Sequence, residues 1–481
     1  MDKHRQANVR SLYGFSEISV KRLSQNLLSL FTADMVRRLL GFISVAYLAR
    51  VLGKEDFGAV NLGFAVLAYG MVLSAAGFPT IGTKKIAQGA SLEVIGQVIG
   101  SRLISTVFVL AVIVLTVISG VQDTTIAWLI ILFLFSLLPQ IFFVDWFFQG
   151  KETMGVVSAA RILQSVVYLT VIFVFVRTAD NVLWVAAGNI CGECAASTLL
   201  FMQFRKKYSD IRIRFTPSLH LFKQSAPLAI GLILTTLMMN YPVLALGILK
   251  TSSDVGIYSA AGKLVYFLMM GDRILVLLLL PASARKFHTS PEKFQRLLRD
   301  SLQWILLISL PLAVGGMLIA DDLIRIVFGA DYGVSASVLQ VFIWYFFLTM
   351  LHTVFTSGLI GAGGEKSYGK IMVITALAYF FAISAGVFWF GPIGAAFGVV
   401  AAEGLSVVLI GRALRLLVPL PSPEKIVRVV FSVVLMALGV ASVMQYGFLW
   451  AFLVGVGSYC LFIILLRAIV WNDVRTFIAR F

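Results

Sequence analysis

Charge is scarce in this chain. Only 13% of its 481 residues are Asp, Glu, Lys or Arg, against roughly 25% in a soluble globular protein. That shortage excludes an ordinary water-facing surface. Cysteine is scarcer still, at three residues. Two of them form Cys191-x-x-Cys194 inside an apolar stretch with no second pair. A zinc or redox site is therefore not expected, and both are read as small residues packing between helices. Long polar loops are also missing. The longest soluble connections fall at 205–222 and 321–335, far too short to fold as domains. Membrane glycosyltransferases, ligases and polymerases need a sizeable loop domain or a clustered acid–base site, and neither is present. The glycine-rich stretch GLIGAGGEKSYG, Gly358 to Gly369, places Glu365 before Lys366 between two apolar spans. A phosphate-binding loop needs Gly-Lys-Ser/Thr after a strand. No enzyme, cofactor or metal site is expected.

What is abundant is apolar. Hydrophobic residues make up 59% of the chain and the mean hydropathy is +0.95. Runs of ~20 apolar residues, enough to cross a bilayer as a helix, recur from 23–50 to 448–469. They number about fourteen, the fourth at 125–148. Barrel strands would show short alternating segments instead, so the expected fold is an all-α polytopic membrane bundle. Residues 1–22 are polar and basic, and no small-residue cleavage site precedes the first span.

Lys and Arg alternate between the two sides. With the N-terminus inside, the cytoplasmic segments hold Lys84, Lys85, Arg205, Lys206, Lys207, Arg214, Arg285 and Lys286, among others. The outer turns hold only Arg50, Lys54, Arg177, Lys250 and Arg325. The positive-inside rule then places both termini in the cytoplasm. It also absorbs the net charge of +16. No aromatic-interleaved basic domain suggests a nucleic-acid partner, and anionic lipid headgroups are the natural neighbours of the basic loops.

An internal repeat underlies the spans. Asp56-Phe57-Gly58 matches Asp254-Val255-Gly256, within LGKEDFGAVNLG and KTSSDVGIYSAAG. Gly188 and Glu193 match Gly398 and Glu403, and Arg205 matches Arg415. Six spans separate equivalent points, so the halves share one orientation, as in parallel transporter repeats. The expected organisation is a basic N-terminus (1–22), an N-lobe of six helices (23–204) and a basic linker (205–222). A C-lobe of six helices (223–416), an added helix pair (427–469) and a cytoplasmic C-terminus (470–481) follow. The two pseudo-symmetric lobes suit alternating access.

The first span, FTADMVRRLLGF at its centre, carries Asp34, Arg37 and Arg38. Three such charges cost about 8–10 kcal/mol to insert, and the ten Leu, Ile, Phe and Val residues from Leu27 to Val45 return only about 3–6 kcal/mol. The charges must therefore pair, or face protein or water. Asp34 reaches Arg37 or Arg38 along its own helix, leaving one arginine for bidentate binding of phosphate or carboxylate. Other charges at membrane depth are Asp145, Arg161, Glu193, Lys263, Asp272, Arg273 and Glu403, with His352 beside them. Asp145, Asp272 and Arg273 stand near helix ends and can snorkel. Glu193 and Glu403 fit helix-to-helix hydrogen bonding and ion coupling equally. His352 is read as a satisfied interior histidine. Pro242, in Asn240-Tyr241-Pro242, is the candidate hinge.

The stretch YLARVLGKEDFGAVNLGFAVLAYGMVLSAAGFPTIGTKKIA, Tyr47 to Ala87, resembles the polysaccharide-transport branch of the multidrug/oligosaccharidyl-lipid/polysaccharide flippase superfamily. DVGIYSAAGKL, LLLPASARKF and IVFGADYGVSASVLQVF resemble its second lobe, in order. The resemblance spans about 20–416. It implies a bacterial inner-membrane flippase that carries a polyprenyl-diphosphate-linked oligosaccharide, such as an O-antigen or exopolysaccharide repeat unit, to the outer leaflet. From the resemblance only Arg37 and Arg38 are carried over as cavity residues that meet the substrate; Asp34, Arg161, Lys263 and Arg273 are further candidate substrate-binding residues by their membrane depth, with Glu193, Glu403 and Asp145 available for proton or sodium coupling. Polysaccharide polymerase and chain-length machinery would be partners. Two other functions stay open: a cation-coupled multidrug exporter of the same superfamily, and a lipid II flippase.

Overall fold

The computed structural model describes residues 17–209, 214–417 and 424–468, and the side chains of 17–34, 38, 273–274 and 424–425 lie outside that description. The described residues are predominantly helical and contain no strand. Eleven helices are long and apolar enough to cross a membrane, and Thr124–Gln140 is a shorter apolar stretch. Two of the eleven are double spans, Met35–Ala75 and Glu365–Leu417. Each is bent at a glycine with positive φ, Gly53 (71°) and Gly391 (58°), a conformation that costs other residues more. The fourteen spans of the sequence are thus all accounted for. The protein is a multi-pass membrane bundle.

The helices, in chain order, are α1 (Glu17–Ala75), α2 (Phe78–Ala87), α3 (Glu93–Gly120), α4 (Thr124–Phe135), α5 (Leu137–Gln140), α6 (Asp145–Gly150), α7 (Met154–Phe175) and α8 (Leu183–Lys207). They continue as α9 (Leu219–Leu249), α10 (Ser252–Leu268), α11 (Met270–Thr289), α12 (Pro291–Leu318), α13 (Ala320–Phe328), α14 (Gly333–Gly361), α15 (Glu365–Leu417), α16 (Glu424–Val443) and α17 (Phe448–Leu465). They form two compact units. One holds the chain up to Val45 together with Gly63–Leu237, and the other holds Ala46–Leu62 with Met238 onward.

In the first unit α8 packs along α7, α4 and α5. A cluster of large side chains closes one end, where the Phe147 ring meets Phe204 and Tyr208 edge-on at 5.1 and 5.4 Å. The linker is not a free loop there. A Cβ at Gly96 of α3 would come within 2.1 Å of the Arg214 carbonyl oxygen, and one at Gly100 within 3.0 Å of the Phe215–Pro217 backbone. The Ser218 N–H donates to Ser101 Oγ at 3.2 Å. A pair of glycines spaced as in membrane helix contacts here receives an extended strap instead of a helix.

The second unit is built on α14, which packs against α10, α11, α12, α13 and α15. The segment expected as a soluble connection, 321–335, is mostly the amphipathic helix α13 and a short 3-10 turn ending in the buried Tyr332. Sequence reading missed it because two aspartates and an arginine lower its hydropathy while Ile324 and Phe328 fix one face inward. Tyr332 donates to the Ala49 carbonyl at 3.0 Å, Arg50 Nε donates to the Val327 carbonyl at 3.0 Å, and Arg50 Nη2 donates to that of Ile326. The added pair α16–α17 packs together and onto α12, with the Tyr459 hydroxyl on the Leu307 carbonyl at 2.6 Å.

The repeat glycines meet one another in this unit. A Cβ on Gly58 would lie 1.7 Å from the Ser252 carbonyl oxygen, and a Cβ on Gly256 2.0 Å from that of Lys54. Gly58 and Gly256, like Lys54 and Ser252, stand 198 positions apart. Equivalent atoms of the two repeats therefore touch reciprocally, the mark of a two-fold contact. Nothing but glycine fits at either position.

Helix α9 runs without interruption through Pro242. Proline has no N–H for the carbonyl four residues earlier, which is that of Met238. The Tyr379 hydroxyl donates to that carbonyl at 2.8 Å, so the break is repaired by a side chain from α15. Unsatisfied backbone inside a membrane must find such a partner.

Candidate functional site

Each unit holds a polar cluster at membrane depth. In the first, the span expected at 125–148 is broken. Helix α4 stops at Phe135, four residues before Pro139, whose ring collides with that carbonyl in a continuous helix. After the one-turn α5 the backbone runs irregularly to Asp145. Irregular backbone at membrane depth is tolerated where protein covers it or a cavity adjoins it, and both occur here. Arg102 of α3 is only 5% exposed and its Nη1 donates to the freed Phe143 carbonyl at 3.3 Å. Among the described residues its Nε has no partner. A cavity of about 260 Å³ lies against it, lined also by Met71, Ser74, Pro79, Gln140 and Asp145.

The carboxylates around this cavity are satisfied. Glu193, 3% exposed on α8, accepts from Gln140 Nε2 at 2.5 Å and Gln164 Nε2 at 2.6 Å. Asp145 Oδ2 pairs with Arg161 Nη2 at 3.1 Å and accepts from Gln149 at 3.0 Å. Asp145 thus does not snorkel free. It and Arg161, a candidate substrate-binding residue, form an ion pair beside the cavity.

The second unit repeats the pattern with different chemistry. Glu403 Oε1 on α15 meets His352 Nδ1 on α14 at 2.7 Å. Gln140 and His352 are 212 positions apart and Glu193 and Glu403 are 210 apart, so both pairs occupy matching places in the repeat. His352 is a satisfied interior histidine, as expected. Asp272 accepts from the hydroxyl of Thr353, which follows His352 on α14. Lys263 of α10 is half-buried and has no carboxylate within 4.0 Å among the described residues.

The remaining expected residues are placed as follows. Arg37 is exposed on α1. The side chains of Asp34, Arg38 and Arg273 lie outside the described residues. Cys191 and Cys194 are exposed free thiols, not packed between helices. No metal-ligating group of three occurs among the described residues. Sequence reading overlooked Arg102, Gln140 and Gln164. Arg102 is the tenth residue of α3, about 14 Å along the helix axis, and that depth was the available signal.

Residues 23–286 match the sequence model of the family described as "Polysaccharide biosynthesis protein", more than half of the 481-residue chain. The chain belongs to the polysaccharide biosynthesis protein family. The matched part contains the whole first-unit cluster and Lys263. Among similar proteins is a "Putative O-antigen transporter" of Escherichia coli (strain K12), 24% identical over 398 residues, covering 80% of this chain and 94% of that protein. The fold is similar to that of the lipid II flippase MurJ in its inward closed conformation. There the TM-score is 0.70 at 14% identity, over 91% of this chain and 99% of that one. An inward-facing multidrug resistance MATE transporter matches with a TM-score of 0.63 at 16% identity, over 79% and 94%. The fold of this polysaccharide biosynthesis family member is thus similar to that of both of those solved transporters.

Proposed function

We propose that the protein carries a polyprenyl-diphosphate-linked oligosaccharide, an O-antigen, capsule or exopolysaccharide repeat unit, from the cytoplasmic to the outer leaflet of a bacterial inner membrane. The observation that supports this most is a pair of cations at membrane depth that no carboxylate holds. Among the described residues neither Arg102 nor Lys263 has a carboxylate within 4.0 Å, and Arg102 lines a cavity with its Nε unbonded, whereas Asp145 is held by Arg161 and Glu403 by His352. Unmatched buried cations suit an anionic substrate and repel a cationic drug. The name of the O-antigen relative and the lipid II flippase fold add to the same reading.

A headgroup with many hydroxyls needs such a path, since each one costs roughly 4–8 kcal/mol to move unpaired into hydrocarbon. In the mechanism we propose, the diphosphate meets Arg37 and Arg38 while the tail stays in lipid, and Arg102 of the first unit and Lys263 of the second are further cations for it. The amide-held Glu193 and the imidazole-held Glu403 serve proton or sodium coupling. Both termini are cytoplasmic, as the basic loops require. The hinge lies in α9 near Pro242. Polyprenyl-linked glycans of a deletion strain test the proposal, with sidedness read by a membrane-impermeant sugar-oxidising label. One intact repeat unit accumulating on the cytoplasmic face is expected. An unchanged lipid-linked pool would overturn it.

A further inference from the structure

The second unit holds a titratable cluster that downhill movement of an anionic lipid does not need. Glu403 Oε1 on α15 accepts from His352 Nδ1 on α14 at 2.7 Å, and the two side chains are only 16% and 18% exposed. Asp272 of α11, held by the hydroxyl of Thr353, lies within electrostatic reach of both. Two carboxylates and one imidazole, from three helices of the same unit, thus form one polar cluster at membrane depth.

The neighbours do little to balance its charge. Tyr345 of α14 and Tyr368 of α15 lie within reach of Glu403, and Tyr266 of α10 within reach of Tyr345. Tyrosines are uncharged near neutral pH. Among the described residues Lys263 of α10 has no carboxylate within 4.0 Å, and α12 and α13 bring no ion-pair partner to the cluster. Arg273 adjoins Asp272 in the chain, and its side chain lies outside that description. With the imidazole neutral, the three described groups carry two negative charges. Unpaired charge is costly at this depth, and one proton halves it.

The hydrogen bond fixes where that proton goes. An ionised carboxylate only accepts, so Nδ1 keeps its hydrogen in both charge states and the free electron pair stands on Nε2. Among the described residues Nε2 has no hydrogen-bond partner. One proton taken up there turns a neutral ring beside a carboxylate into an imidazolium–carboxylate pair. The matching place in the first unit lacks this chemistry. Gln140 and Gln164 hold Glu193 there, and an amide has no charge to change. Histidine is the side chain whose charge changes near neutral pH. Hard metal cations take several oxygen ligands, whereas this carboxylate faces a ring nitrogen.

Resting on the function proposed above, which leaves the coupling ion open, we propose that the second unit takes up a proton at Nε2 of His352, with Glu403 and Asp272 stabilising the charged ring. The coupling role of Glu403 thereby acquires one ion and one receiving atom.

The test uses the full chain carrying His4→Gln, His220→Gln and His288→Gln, which leaves His352 as its one histidine. In phosphatidylcholine nanodiscs, its isotopically labelled ring nitrogens are followed by NMR from about pH 5 to 8. Nδ1 should stay protonated throughout. Nε2 should lose its proton in one step, and exchanging sodium for potassium should leave that step in place. Glu403→Gln should weaken proton binding at Nε2 at least about ten-fold. A ring of constant charge, a bare Nδ1, or equal proton binding in Glu403→Gln overturns the proposal. In proteoliposomes an imposed proton gradient should speed flipping by the native chain. The ratio of rates with and without the gradient should fall to one in His352→Gln, which still offers Glu403 a donor. A native ratio of one, or a ratio that His352→Gln leaves unchanged, overturns the proposal as well. The NMR titration needs no substrate. A chain that flips no glycan lipid would therefore strike the transport function and leave the titration to decide the proton site.

Discussion

The repair of α9 at Pro242 gives a prediction whose size follows from the structure. Tyr379→Phe removes one hydroxyl and leaves the Met238 carbonyl, which Pro242 cannot serve, without its 2.8 Å donor. Hydrogen bonds between membrane helices average about 0.6 kcal/mol and reach about 1.7, and a stranded buried acceptor costs about 1–3. The expected loss is therefore about 1–2 kcal/mol, a factor of about 5–30 in the folded-to-unfolded ratio. Pro242→Ala restores a backbone N–H to the same carbonyl. In that background Tyr379→Phe should be nearly silent, giving a coupling of about 1 kcal/mol in a double-mutant cycle. The assay is reversible unfolding of the purified full chain in mixed micelles, followed by tryptophan fluorescence. Equal costs in the two backgrounds would refute the reasoning, because the hydroxyl would then serve something other than the carbonyl left open by proline.

Other consequences can be checked alongside. Gly256→Ala places a methyl 2.0 Å from the Lys54 carbonyl oxygen, and no side chain there can yield. It should lower thermal stability, with a cost of at least about 1–3 kcal/mol. Gly369→Ala, where a Cβ meets nothing within 4 Å, should be silent in the same melting assay. Lys263→Ala should reduce O-antigen or exopolysaccharide display at least about ten-fold, with normal membrane levels, if it contributes a charge-assisted contact of about 1.5–3 kcal/mol to the substrate. Lys263→Arg should retain part of that display on surface-glycan gels. Glu193→Gln keeps the volume but sets a third amide against Gln140 and Gln164. Transport should fall while the protein still inserts, as read by the same gels with membrane immunoblots.

Much of this molecule is legible in its sequence, because a bilayer leaves few options. Hydropathy marks every span, and the repeat is visible in Asp56-Phe57-Gly58 and Asp254-Val255-Gly256, whose glycines turn out to touch. The pairing of Glu403 with His352 was harder to see, since it depends on contact between α14 and α15. The same holds for Glu193 and its two glutamines, whose amides attract no notice in an apolar run. Pro139 was present to be read as a helix stop, yet the apolar residues around it suggested one unbroken span. Arg102 was hidden differently. Arginines within two turns of a helix end usually snorkel, and only the length of α3 shows that this one lies deeper. The amphipathic α13 was lost because Asp321, Asp322 and Arg325 lower its mean hydropathy, although its apolar residues keep helical spacing.

The most direct measurement is flipping by the purified chain in proteoliposomes. A fluorescent polyprenyl-diphosphate oligosaccharide is added to both leaflets, and the fraction open to an impermeant quencher or glycosidase is followed. The native chain should move the lipid across at a rate well above protein-free vesicles, and Arg102→Gln with Lys263→Gln should return it to that baseline. Full-rate movement by the double variant would contradict the assignment of these two cations to the diphosphate. No movement by the native chain with either a proton or a sodium gradient imposed would contradict the flippase mechanism itself.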